Sequence, residues 1–211
     1  MKNIIVLIPL LLSPLVLFGT PTADVAIREL KKSYDSISSF SGTISIQVND
    51  KNYRGTILYK KPNKLKIQFS SPSQIDIISD SKSMWIFLKD KNIAIKQPIL
   101  PKKGNNTIYA SELINPYEKY NKEYIIVLEK FDEKFYQFNI RPKPDVFTTF
   151  SNAKLKAIKN GLITSISGTT VSKDNVSINI NYSVINQEID DREFSFSPPA
   201  DAQVLVDIFQ E

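Results

Sequence analysis

Apolar and polar residues alternate with a period of two through most of the chain. The alternation is densest between Tyr53 and Leu88: Tyr53–Lys60, then Leu65, Ile67 and Phe69 against Lys66, Gln68 and Ser70, then Gln74–Ser79 and Met84–Leu88. Pro62-Asn63, Pro72 and Asp80–Lys82 punctuate these runs. Such runs, bounded by Pro, Asn, Asp and Ser, predict an antiparallel meander with one apolar face. Gly42–Val48 extends it before the Asn49–Asn52 turn, and Asn92–Gln97 extends it afterwards. Beyond a polar, proline-punctuated loop, strands are predicted at Glu123–Lys130, Phe135–Arg141, Lys154–Lys159, Leu162–Thr170 and Val176–Val184. Glu193–Ser197 would close the sheet before Pro198-Pro199, and Pro142–Thr149 reads as irregular. Asn160-Gly161 is the strongest two-residue hairpin signal in the chain.

Two stretches follow a helical period instead. After a cap at Thr22 or Asp24, the residues Ala26, Ile27, Leu30, Tyr34 and Ile37 share one face, with Arg28, Glu29, Lys31, Lys32 and Asp35 outside. In Ile108–Tyr120 the apolar face is Leu113, Ile114, Tyr117 and Tyr120, and Pro116 argues for a short or broken helix. A broken helix inserted into a β meander suits a lid. About eleven strands in one twisted sheet must curl or split. The predicted fold is therefore mainly β (α+β): an unclosed, strongly curved antiparallel half-barrel with a helical lid over an apolar cavity. No repeat or linker divides the chain, so 24–211 reads as a single domain.

The first segment departs from both periods. Lys2 precedes an apolar run from Ile4 to Phe18, interrupted by Pro9 and Pro14. This order predicts a signal peptide over 1–19, with cleavage after Gly19 or as late as Ala23; a retained membrane anchor is the alternative. No Cys stands near that point to carry a lipid. An exported protein is expected.

Composition narrows the chemistry. The 211 residues contain no His and no Cys, which removes Ser-His and Cys-His nucleophiles, thiolate metal sites and disulfides. The 22 carboxylates fall in no EF-hand spacing, and no glycine-rich phosphate loop is present. No enzyme activity, cofactor or metal is therefore expected. The formal charge is +5. Its lysines are spread along strands and turns, as solvated edges and faces, with an anionic-membrane or nucleic-acid patch as the alternative.

The segment KKPNKLKIQFSSPSQIDIISDSKSMWIF resembles the centre of the LolA-type periplasmic lipoprotein carriers. Those proteins place a strand ending in Arg-Pro-Asn or Arg-Pro-Gly before an apolar strand. A proline, a second apolar strand, Ser-Asp-Gly and a Leu-Trp strand follow. REFSFSPPADAQV resembles the family's closing strand and tail, and SISSFSGTISIQV its start. The resemblance implies a monomeric periplasmic carrier that takes acylated lipoproteins from an inner-membrane ABC-type release complex. It would hand them to an outer-membrane acceptor or to the outer membrane itself, with no nucleic-acid partner. A lipid-binding sensor or regulatory module on the same half-barrel is the alternative. The family's Arg before the proline hydrogen-bonds to the lid and favours closure; here the position is Lys61, a lid latch without the planar fork of Arg. Apolar family positions and shared alternation nominate Ile57, Tyr59, Leu65, Ile67 and Phe69 as the acyl-chain cavity. Trp85 is placed with them, a packed core Trp being the alternative. Leu113, Ile114 and Tyr117 are the expected lid contacts.

Overall fold

The computed structural model describes residues 21–98 and 116–206. Helix α1 (Ala23–Asp35) starts where Thr22 caps it, the side-chain oxygen accepting from the Val25 N–H at 3.3 Å. Its apolar stripe of Ala26, Ile27, Leu30 and Tyr34 is buried. The chain then runs as a meander through β1 (Ser39–Val48), β2 (Lys51–Lys60), β3 (Lys64–Ser71), β4 (Ile75–Asp80), β5 (Ser83–Leu88) and β6 (Ile93–Pro98). Helix α2 (Pro116–Glu123) leads into a second meander: β7 (Tyr124–Phe131), β8 (Phe135–Pro142), β9 (Phe150–Ile158), β10 (Ile163–Thr170) and β11 (Asn175–Ile185). Pairing of β1 with β11 fuses the two meanders, and β12 (Gln203–Val206) adds to β6, giving the order β12-β6-β5-β4-β3-β2-β1-β11-β10-β9-β8-β7. The twelve-stranded sheet ends at β12 and β7 without closing. It is the expected open half-barrel.

Cross-strand register assigns each side chain to a face, because directly paired residues point the same way. Ile57, Ile67, Ile77, Ile86 and Ile95 form one row across β2 to β6. Tyr59, Leu65, Ser79 and Met84 form the next row on the same side. In the other half, Ile46, Ile178, Ile166, Leu155, Phe138 and Leu128 continue this inner face. Inner-face residues and the apolar faces of both helices join in one core. The outer face carries Lys and Glu, and on β1 and β8 to β11 mainly Ser, Thr, Asn and Gln.

Three sequence expectations need correction. Glu193–Ser197 is not a strand: Asp191–Phe194 forms a 3-10 turn, followed by extended chain without ladder partners. Its alternation comes from lying flat on the outer face, where Phe194 is buried beside β3 and β4 and Phe196 meets Trp85 and Phe87. The sheet is completed instead by β12, which runs parallel to β6, so the sheet is not wholly antiparallel. The strand expected from Lys154 begins at Phe150. The second helix is short, as Pro116 implied: its described part, α2, runs from Pro116 to Glu123. Residues 108–115 of the expected lid, Leu113 and Ile114 among them, lie outside the described residues.

Candidate functional site

The inner face of β2 and β3 gathers five of the nominated residues. Ile57 pairs with Ile67 and Tyr59 with Leu65, and Phe69 follows on the same side opposite Gly55. All five are at most 6% exposed. They are buried in one apolar cluster with residues of both helices, and Tyr34 of α1 lies against Tyr59, the two rings 6.4 Å apart. Ile77, Ile86 and Phe40, which the sequence did not single out, belong to the same surface. Their signal was available in register terms: each pairs, directly or through one strand, with a nominated residue.

Trp85 stands elsewhere. It pairs with Ile78, which pairs with Lys66, and that row is the outer face. There the indole lies 5.5 Å from the Phe196 ring, and the Lys96 ammonium sits 5.4 Å above it. The parity of Met84 and Ile86 with the inner face excludes Trp85 from it. Trp85 helps to anchor the chain that crosses the outer face. Asp191 bridges Lys60 at 2.6 Å and Lys64 at 2.7 Å, and Glu193 meets Lys66 at 2.9 Å, so that segment is pinned along its length. Hydrogen bonding from Lys60 and then Lys64 holds the Asp191 carboxyl down at about 2.

A groove of about 750 Å³ opens on the other half of the outer face. Gln47, Ser167, Ser177, Lys154, Asn139 and Val127 line it, one register row of polar character.

Lys61 is aimed at a helix, and the helix is α1. Its ammonium donates to the carbonyls of Tyr34 at 3.0 Å and Asp35 at 2.8 Å, and lies 5.3 Å from the Tyr34 ring centre. These are carbonyls of the last turn, which lack intrahelical donors and sit at the negative end of the helix dipole. A half-buried Lys at this place is fully consistent with its inward parity, because the acceptors are supplied.

The hairpin between β9 and β10 holds both helices. Gly161 has φ +91°, and a Cβ there would come within 2.4 Å of the Tyr34 nitrogen and 2.5 Å of the Leu30 oxygen. Only glycine allows the turn to lie against the α1 backbone. The Gly161 carbonyl in turn accepts from the buried Tyr117 hydroxyl at 2.6 Å, and the Tyr117 ring meets Tyr34 edge-on at 5.7 Å. Burial pushes the Tyr117 phenol well above its ordinary range. Tyr117, the described member of the expected lid, thus docks α2 to hairpin and α1 together.

The family model described as outer membrane lipoprotein carrier protein LolA matches residues 35–197. The chain belongs to the LolA family. Among relatives, the outer-membrane lipoprotein carrier protein of Actinobacillus succinogenes is 26% identical over 196 residues, covering 86% of this chain and 85% of that protein. An uncharacterised conserved protein from Thermus thermophilus superposes with a TM-score of 0.57 at 10% identity, covering 87% of this chain and 98% of that one. Pseudomonas aeruginosa MucB, in its complex with MucA, superposes at 0.53 and 10% identity, covering 87% and 63%. The two structures share the fold. Within the LolA family frame, Lys61 occupies the Lys-Pro position where the sequence comparison expected Arg, and its donors reach α1 rather than the described part of α2. Among the described residues no group of three or more acidic side chains could hold a metal ion, and no helix is long and apolar enough to cross a membrane.

Proposed function

We propose that this LolA-family protein carries the acyl chains of lipoproteins on the inner face of its half-barrel, between the β2–β3 surface and the two helices. The observation that carries this reading is the continuous apolar face of Ile57, Ile67, Ile77 and Ile86, with Tyr59, Leu65 and Phe69, which joins the apolar residues of both helices in one core. Helices held by a few polar contacts can be displaced; a ladder of strands cannot be displaced so cheaply. The passenger would come from an inner-membrane ABC-type release complex, cross the periplasm and pass to an acceptor or to the outer membrane. Residues 1–19, or as far as Ala23, would be removed on export.

The physics requires weak net binding. Each buried CH₂ of an acyl chain contributes about 0.8 kcal/mol. Three fully buried chains would exceed the roughly 20 kcal/mol at which non-covalent affinity saturates. Displacing α1 and α2 from their own apolar contacts offsets part of that gain and permits delivery. Lys61 sets part of this cost by holding the end of α1 and acts as the latch.

Mass spectrometry of the protein purified from its own periplasm tests the reading. Copurified acylated lipoproteins are expected. MucB shares the fold in a complex with another protein, so a stable protein partner recovered without any lipid passenger would favour a sensor or regulatory module and overturn the carrier.

A further inference from the structure

The outer face of the sheet is used unevenly. On β2 to β5 it is covered by the chain's own segment around 189–197, an acidic stretch laid flat across the strands. The Lys60 ammonium donates to the Ile189 carbonyl at 2.7 Å, Asp191 reaches Lys60 and Lys64, and Glu193 reaches Lys66. On β1 and β8 to β11 the same face stands exposed at Gln47, Asn139, Asn152, Lys154, Ser167 and Asn175, and the groove of about 750 Å³ lies there. Those five strands contain no Asp and no Glu. Lys154 and Arg141 line the groove, with no carboxylate among the lining residues. Lys154 meets Glu129 of β7 at 3.1 Å, but its side chain is 58% exposed, and a pair so open to water contributes little. Arg141 is exposed and has no carboxylate partner among the described residues.

We propose that this outer groove binds an extended acidic segment of a partner protein, laid across the strands as the chain lays its own segment across β2 to β5. The groove continues an interface that already exists on the same sheet, and the covered half shows its chemistry: carboxylates of an extended chain on cations of the strands. In the open half the cations are Arg141 and Lys154, and the partner's carboxylates replace Glu129 at Lys154 and supply Arg141 with its first. The amides between them, Gln47, Asn139, Asn152 and Asn175, each present both a donor and an acceptor, which matches the N–H and C=O groups of a peptide backbone. Lining residues run from Gln47 on β1 to Val127 on β7, six adjacent strands. At about 4.8 Å between strands that is about 24 Å, the reach of about seven extended residues. The site stands on the opposite face of the sheet from Ile57 and Ile67, so it is independent of the carrier reading and leaves the inner face free.

The test is a titration of the isotope-labelled protein, followed by NMR, with a seven-residue peptide of alternating glutamate and serine. Its glutamine–serine analogue and a hyaluronan oligosaccharide serve as comparisons, the latter carrying carboxylates on a sugar backbone. The acidic peptide should shift amides of β8 to β10 around Asn139, Lys154 and Ser167. The analogue should bind about tenfold more weakly, the effect of two exposed charge pairs. The Arg141→Gln/Lys154→Gln double variant should lose the same tenfold towards the acidic peptide while circular dichroism and apolar-dye binding stay native. Four results overturn the proposal: no shifts on β8 to β10, equal binding of peptide and analogue, undiminished binding by the folded variant, or shifts confined to β2 to β5, where the peptide would only displace the chain's own segment. Shifts on β8 to β10 from hyaluronan but not from the peptide overturn it too, and make the groove a glycan site.

Discussion

At the scale of single residues, the two faces of β2 to β5 separate roles that the sequence had grouped together. Ile67→Glu places an unpaired carboxylate among Ile57, Ile77 and Leu65, at a cost of several kcal/mol or the entry of water. Dye binding and lipoprotein copurification should fall while the circular dichroism of the sheet persists; undiminished binding by the folded variant would move the site off the inner face. Trp85→Ala should leave dye binding unchanged and loosen the outer-face segment, read as faster hydrogen exchange around Phe196. Lys61→Leu removes two charge-assisted hydrogen bonds to the last turn of α1. For a half-exposed group the effect is about 1.5 kcal/mol, or tenfold in the helix equilibrium. Passenger should be held more firmly and passed to acceptor membranes more slowly, and native uptake and release rates in the variant would remove the latch from Lys61. That a Lys fits here was legible from Pro62-Asn63 and the inward parity of position 61. Which of the two helices supplies its acceptors was not, because twenty-six residues of sequence separate Lys61 from its α1 partner, and only the β1–β2 hairpin brings them together.

Among elements, those with a strong local period were legible and those defined by a distant partner were not. α1, the β2–β5 meander and the Asn160-Gly161 turn each carry their signal within about a dozen residues. β1 with β11, and β12 with β6, are pairings across most of the chain, and nothing local encodes them. Phe194 and Phe196 misled because a segment lying flat on a sheet alternates as a strand does. Its attachment is electrostatic as well as aromatic, which gives it a pH dependence. Asp191 titrates at about 2 when folded against an ordinary 3.8, so its pairing with Lys60 and Lys64 contributes above about pH 4 and is lost as pH falls towards 2. Acid titration should release the 190–197 segment before the sheet unfolds, seen as early exchange of its amides; simultaneous loss would show that the ion pairs do not hold it. Gly161→Ala belongs to this scale too. The positive φ and the collision with the Tyr34 and Leu30 backbone should cost about 1–3 kcal/mol, concentrated in α1 exchange rates rather than in the sheet.

For the molecule as a whole, the open sheet has a consequence for capacity. In a closed barrel, strand number and stagger together fix the girth. Here no hydrogen bond joins β12 to β7, so the perimeter of the wall is not set by bonding. The sheet can splay by a small change of twist spread over eleven strand pairings, with every ladder bond kept. Such a wall resembles a spring clip and not a pipe of fixed bore. On the proposed carrier reading, passengers bearing different numbers of acyl chains would require no separate pockets, only a different opening of the same jaw.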